Sequence, residues 1–166
     1  MRFAGASSTA RPEAKEPLPG HVNYFIGRDP SRWQRNIPTF AKVEYAGVYP
    51  GIDLVYYGQE RQLEFDFRVH PGGDPSRIRM TVDRPAKVRL DRASGDLLIG
   101  EMRQHKPVAY QLNASNQRSE VDCNYVVRGN TVTLQIGGFD RQRELVIDPV
   151  LTYATYLGGN GRRFDF

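Results

Sequence analysis

The chain has 166 residues, a formal net charge of +4, 25% charged and 39% hydrophobic side chains, an ordinary globular balance that excludes wholesale disorder and suits one domain with a real core. Its positive charge comes mainly from arginines spread along the chain and interleaved with acids, not gathered as in a nucleic-acid reader, and no stretch is apolar enough to span a membrane. Three histidines (His21, His70, His105) lack metal-ligand spacing, and a single cysteine, Cys123, excludes an intrachain disulfide.

Residues 1–19 read as a linker or an incomplete N-terminal arm, because the stretch is rich in Ala, Ser, Pro and Gly and has little periodicity. It has no apolar core long enough for a signal peptide. "HVNYFIG" (21–27) is a short strand candidate. "RDPSRW" then predicts a short helical turn near residues 30–35: Asp29 caps it, Pro30 takes its first position, and Trp33 folds back on the core. The same chemistry recurs at Asp74 and Pro75.

After Pro38 the signal is almost all β. "KVEYAGV" places Val43 and Tyr45 on one side and Lys42 and Glu44 on the other. "RQLEFDFRV" alternates strictly, with Leu63, Phe65, Phe67 and Val69 facing inward. Glu64 and Asp66 share the opposite side, which reads as a solvated face. "RIRMTV" turns Ile78, Met80 and Val82 inward, and "VDCNYVV" puts Cys123 on the apolar side of a strand as a buried small hydrophobe. "VVRGNTVT" predicts a tight hairpin with Gly129 and Asn130 at positive φ. "RQRELVIDPV" predicts the last strand of the domain, with Leu145 and Ile147 in the core and Arg141 and Arg143 in solvent. Many short strands between turns, and no helical period, predict an all-β fold: a β-sandwich of short, mostly antiparallel strands over residues 20–150.

Six phrases carry a resemblance: "LPGHVNYFIGRDPSRW", "NIPTFAKVEYAGVYPGIDLVYYG", "QLEFDFRVHPGGDPSRI", "QHKPVAYQ", "GGFDRQRELVIDPVL" and "TYATYLGG". In this order they resemble an uncharacterised β-rich domain found ahead of SBBP repeats, the bacterial β-propeller repeat, in large secreted or surface proteins. The resemblance implies an exported domain whose signal peptide lies upstream, standing beside a propeller of the same full-length chain. Residues 151–166 then open a truncated SBBP repeat, which departs from the repeat pattern at "RRFDF". The resemblance carries no catalytic residues and no cofactor.

The expected function is therefore that of a non-enzymatic structural or adhesive domain at a bacterial cell surface. Its partners are the adjacent propeller and a surface glycan or protein, with no nucleic acid and no membrane insertion. Carbohydrate binding is the leading alternative, through Tyr45, Tyr49, Tyr56 and Tyr57, since sandwich modules bind sugars with exposed aromatics. A glycoside hydrolase would need two carboxylates across a cleft, and Asp53, Glu64 and Asp66 are the available set. Neither a serine elbow, a phosphate loop nor an Asp-rich calcium loop is present.

Overall fold

A computed structural model of the chain describes residues 1–59, 62–83, 87–100, 102–149 and 151–152. Its strands, numbered in chain order, form three antiparallel sheets. The largest holds β2 (Pro12–Tyr24), β3 (Gln34–Tyr49), β4 (Ile52–Gln59), β5 (Gln62–Val69), β10 (Val108–Leu112), β11 (Arg118–Val121) and β14 (Leu145–Asp148), in the order β11-β10-β14-β5-β4-β3-β2. A second sheet runs β1-β6-β13-β12, from β1 (Arg2–Phe3), β6 (Arg79–Thr81), β13 (Thr131–Ile136) and β12 (Cys123–Arg128). The third runs β15-β9-β8-β7, from β15 (Leu151–Thr152), β9 (Met102–Gln104), β8 (Leu97–Ile99) and β7 (Val88–Leu90).

The two small sheets pack on one face of the large one, and all three share a single core. Phe65, Phe67, Leu54, Leu145 and Ile147 come from the large sheet, Met80, Cys123 and Val132 from the second, and Leu97 and Ile99 from the third. The alternation along β5 builds this face: Phe67 is 0% exposed, and its ring meets Phe3 of β1 edge-on at 5.3 Å. The register Leu54↔Phe67↔Ile147 carries the apolar row across three strands. Ile78, Met80 and Val82 are buried as their alternation predicts, as are Leu145 and Ile147, while Arg141 and Arg143 are exposed. Leu63 departs from its row at 54% exposed, because it lies at the strand end beyond the packed sheets.

Local chemistry sets the connections. Asp29 and Asp74 each accept the Ser N–H two residues on, at 2.9 and 3.0 Å, and cap short 3-10 turns over Pro30–Arg32 and Pro75–Arg77. Gly73 lies against the turn at Gly51 so closely that a Cβ there would sit 2.5 Å from the Gly51 carbonyl oxygen. The hairpin between β12 and β13 takes positive φ at Gly129 only, in the manner of a turn with glycine at its first central position. Asn130 is held differently from expectation, because its side-chain amide donates to Val82 O at 3.0 Å and its carbonyl accepts the Val82 N–H.

Three expectations need correction. Residues 12–19, read as linker or arm, are strand: β2 runs 13 residues along β3, which itself runs 16. Trp33 does not fold back on the core but packs edge-on against Phe25 at 5.2 Å, with its indole N–H donating to Gly27 O at 3.3 Å. The face of Glu64 and Asp66 is not freely solvated, since Glu64 is only 8% exposed. Residues 153–166, expected to continue a propeller repeat, lie outside the described residues, while Leu151 and Thr152 pair with Gln104 and Arg103.

Substituting Phe67→Ala should cost about 3–5 kcal/mol in urea unfolding, the usual range for a buried ring. Leu63→Ala, on the same alternating row, should cost no more than about 0.5 kcal/mol. Equal losses at the two positions would contradict the packing described.

Candidate functional site

Beyond the Lys42↔Tyr57 pair, β3 leaves β4 and, among the described residues, continues with β2 alone. Residues 17–24 and 34–41 thus form a two-stranded ribbon, which at the usual rise per residue reaches about 25 Å past the sheet. Local bonds hold it in shape. Thr39 Oγ1 donates to Gly20 O at 2.6 Å, Asn23 Oδ1 accepts the Asn36 N–H at 2.8 Å, and Lys42 pairs with Glu16 at 2.7 Å.

The ribbon exposes apolar side chains. Leu18, Val22 and Phe40 lie along it, and at its tip Tyr24 is 52%, Phe25 56% and Ile26 75% exposed. The tip is nonetheless ordered: Phe25 and Trp33 pack edge to face, and the Arg35 guanidinium lies 5.4 Å from the Phe25 ring centre and 5.9 Å from that of Trp33. Arg28 and Arg32 stand beside this cluster and are exposed. The nearby acid, Asp29, is occupied by the Ser31 N–H and hydroxyl. Sequence reading placed no site here, although "YFIGR" already sets three large apolar residues against a glycine turn, where no strand can bury them.

The outer face of the large sheet holds the second cluster. Phe67 and Ile147 face inward, so Asp66 and Asp148, each one residue away on neighbouring strands, face outward together. Tyr57 donates to Asp66 Oδ1 at 2.9 Å. Burial, then the charges of Asp66 and Glu64, push the Asp148 carboxyl up to about 6. Burial likewise raises Asp66, against the Tyr57 hydrogen bond and Arg68. Asp148 Oδ1 is buried with no hydrogen-bond partner among the described residues.

Other polar groups serve as clamps. Asp53 Oδ2 meets His70 Nε2 at 2.6 Å while its Oδ1 accepts the Gly47 N–H at 2.7 Å, fixing the irregular step in β3. Burial would raise Asp96, but the Lys106 N–H and the Arg103, Ser94 and His105 side chains outweigh it and hold the carboxyl below its usual range. His21 is exposed. Among the described residues no group of three His, Cys, Asp or Glu could hold a metal ion.

The four tyrosines proposed for ligand binding do not share a face. Tyr49 is buried and its hydroxyl donates to Ala4 O at 3.1 Å. Tyr45 and Tyr56 are half-buried against the core, with ring centres 6.0 Å apart. Tyr57 lies on the opposite side with Asp66. One recess of about 510 Å³ opens between Lys106, Val108, Glu120, Asp122 and Cys123. Burial pushes the Cys123 thiol there up to about 12, which favours the neutral thiol over the reactive thiolate. Another recess, of about 760 Å³, is lined by Arg79 of β6 and by Arg128, Thr131, Thr133 and Gln135 of the β12–β13 hairpin.

Residues 1–150 match the profile of a family described as a domain of unknown function, DUF7948. The chain belongs to the DUF7948 family. No curated protein and no solved structure matches. The family match takes in the whole of the β2–β3 ribbon, so the projection is part of the DUF7948 unit.

Asp148 gives this DUF7948 domain a pH signature. Its folded pKa lies above the ordinary value of 3.8, so the stability it contributes is full below about pH 4 and lost as pH rises through about 6. Asp148→Asn should therefore stabilise the domain by about 1 kcal/mol at pH 7, allowing for solvent screening of a half-buried group. The gain should vanish near pH 4. Thermal melts of both proteins across this range check it, and a gain that does not change with pH would refute the assignment.

Proposed function

We propose that this DUF7948 domain is a non-enzymatic structural and adhesive module that grips its partner with the β2–β3 ribbon. In this reading it belongs to an exported bacterial surface protein and stands ahead of a β-propeller of SBBP repeats. The observation that carries the adhesive part is the ordered tip, where Tyr24, Phe25 and Ile26 stay exposed at the end of a ribbon far from the core. A two-stranded ribbon is marginal in water by itself, and exposed apolar patches of this kind mark interaction surfaces. The surface-protein part rests on the ordered phrases from "LPGHVNYFIGRDPSRW" to "TYATYLGG".

Two other readings have less support. A sugar platform needs a solvent-facing aromatic row, and Tyr45, Tyr49 and Tyr56 pack inward. A hydrolase would draw on Asp53, Glu64 and Asp66, or on Asp66 with Asp148, but neither recess described above is lined by any of them.

Beads coated with the folded domain should adhere to at least one member of a panel of immobilised glycans, matrix proteins and lipid layers. Replacing Phe25 and Ile26 by Ser should abolish that adhesion without lowering the melting temperature. Adhesion that survives the change, or no adhesion to any member, would sink the reading.

A further inference from the structure

The ribbon tip also specifies the chemistry of what it touches. Residues 24–35 contain three arginines, Arg28, Arg32 and Arg35, against one acid, Asp29. The Asp29 carboxylate already accepts two hydrogen bonds from Ser31. Among the described residues, no carboxylate forms an ion pair with any of the three arginines. A partner that brings negative charge would complement Arg28 and Arg32. It would also accept Ile26 and Phe25, the two most exposed large apolar side chains among the described residues.

We propose that the tip rests on an anionic lipid surface, with Ile26 and Phe25 entering the acyl boundary and Arg28 and Arg32 meeting lipid phosphates. The proposal rests on the reading of the ribbon as the gripping element and names its partner. Three observations favour lipid over an acidic protein. The patch is a convex turn, which a fluid surface receives with no matching groove. Tyr24 and Trp33 flank the apolar apex, and such rings settle at the headgroup level of a bilayer. The cluster of Phe25, Trp33 and Arg35 is already formed, so contact orders little new structure. This is interfacial contact by a turn; no helix among the described residues is long and apolar enough to cross a membrane.

Trp33 is the chain's one tryptophan and sits in the tip, so its fluorescence reports the event directly. Titrating the domain with vesicles of equal parts phosphatidylcholine and phosphatidylglycerol should shift Trp33 emission to the blue. Vesicles of phosphatidylcholine alone should not. Ile26→Ser should weaken partitioning about tenfold or more, and the pair Arg28→Glu and Arg32→Glu should abolish it. Raising salt from about 0.1 M to about 1 M should weaken it as well, since the Debye length falls from about 10 Å to about 3 Å. These side chains are exposed, and melts of each variant verify folding. No blue shift with the mixed vesicles, an equal shift with neutral ones, or a shift that the arginine variants leave intact would overturn the proposal. Tip-dependent binding to polyglutamate without vesicle binding would reassign the tip to an acidic protein, again overturning it. If vesicles fail while adhesion of beads to a protein or glycan still depends on the tip, the lipid inference falls and the adhesive reading stands; if the tip matters in neither assay, both fall.

Discussion

The central position of β5 governs this structure. It lies fourth of seven in the large sheet, so both of its edges are paired, while the small sheets pack on one of its faces and the other face is polar. Its even and odd residues must therefore suit two different surroundings. Phe65, Phe67 and Val69 meet the small sheets, and Phe67 anchors β1 through Phe3. Glu64, Asp66 and Arg68 fill the other side among Tyr57, Asp148 and neighbouring side chains. A slip of one residue would exchange the two sets, driving carboxylates into the core, so register here is strongly fixed.

Much of the core was legible because β-sheet burial follows a period of two. The inward positions of Phe65, Phe67 and Val69 in β5, of Ile78, Met80 and Val82, of Cys123 and of Leu145 and Ile147 followed from alternation alone, while Leu63 did not. The Asp-Pro turns were legible for a local reason: the capping oxygen and its Ser N–H are two residues apart. What alternation cannot report is how crowded the polar side becomes. Glu64 reads as solvated by its type, yet it is buried where it pairs with Tyr57 in the middle of the large sheet, and only the sheet order reveals that.

The ribbon escaped sequence reading for the opposite reason. Pro12, Pro17, Pro19 and Gly20 are residues that strands usually avoid, so the stretch resembles a linker. An edge strand tolerates them, because only one side of it needs hydrogen bonds. Positive φ at Glu16 and Asn36 and two shifts of register absorb the misfits without ending the pairing. Trp33 was misplaced on the assumption that a large ring seeks the main core. It found a small aromatic cluster of its own at the tip instead.

Those prolines bear on how the domain behaves in a crowd. The outer border of β2 is the longest open border of the large sheet, and a 13-residue row of free amides would template another chain. Proline has no amide hydrogen to offer, and the bulges bend the remaining row out of line. The opposite border, β11, is short and carries Arg118 and Glu120. At these two borders, neighbouring copies packed at high density thus meet obstacles to zipping together into fibres, even with apolar residues displayed on the same ribbon.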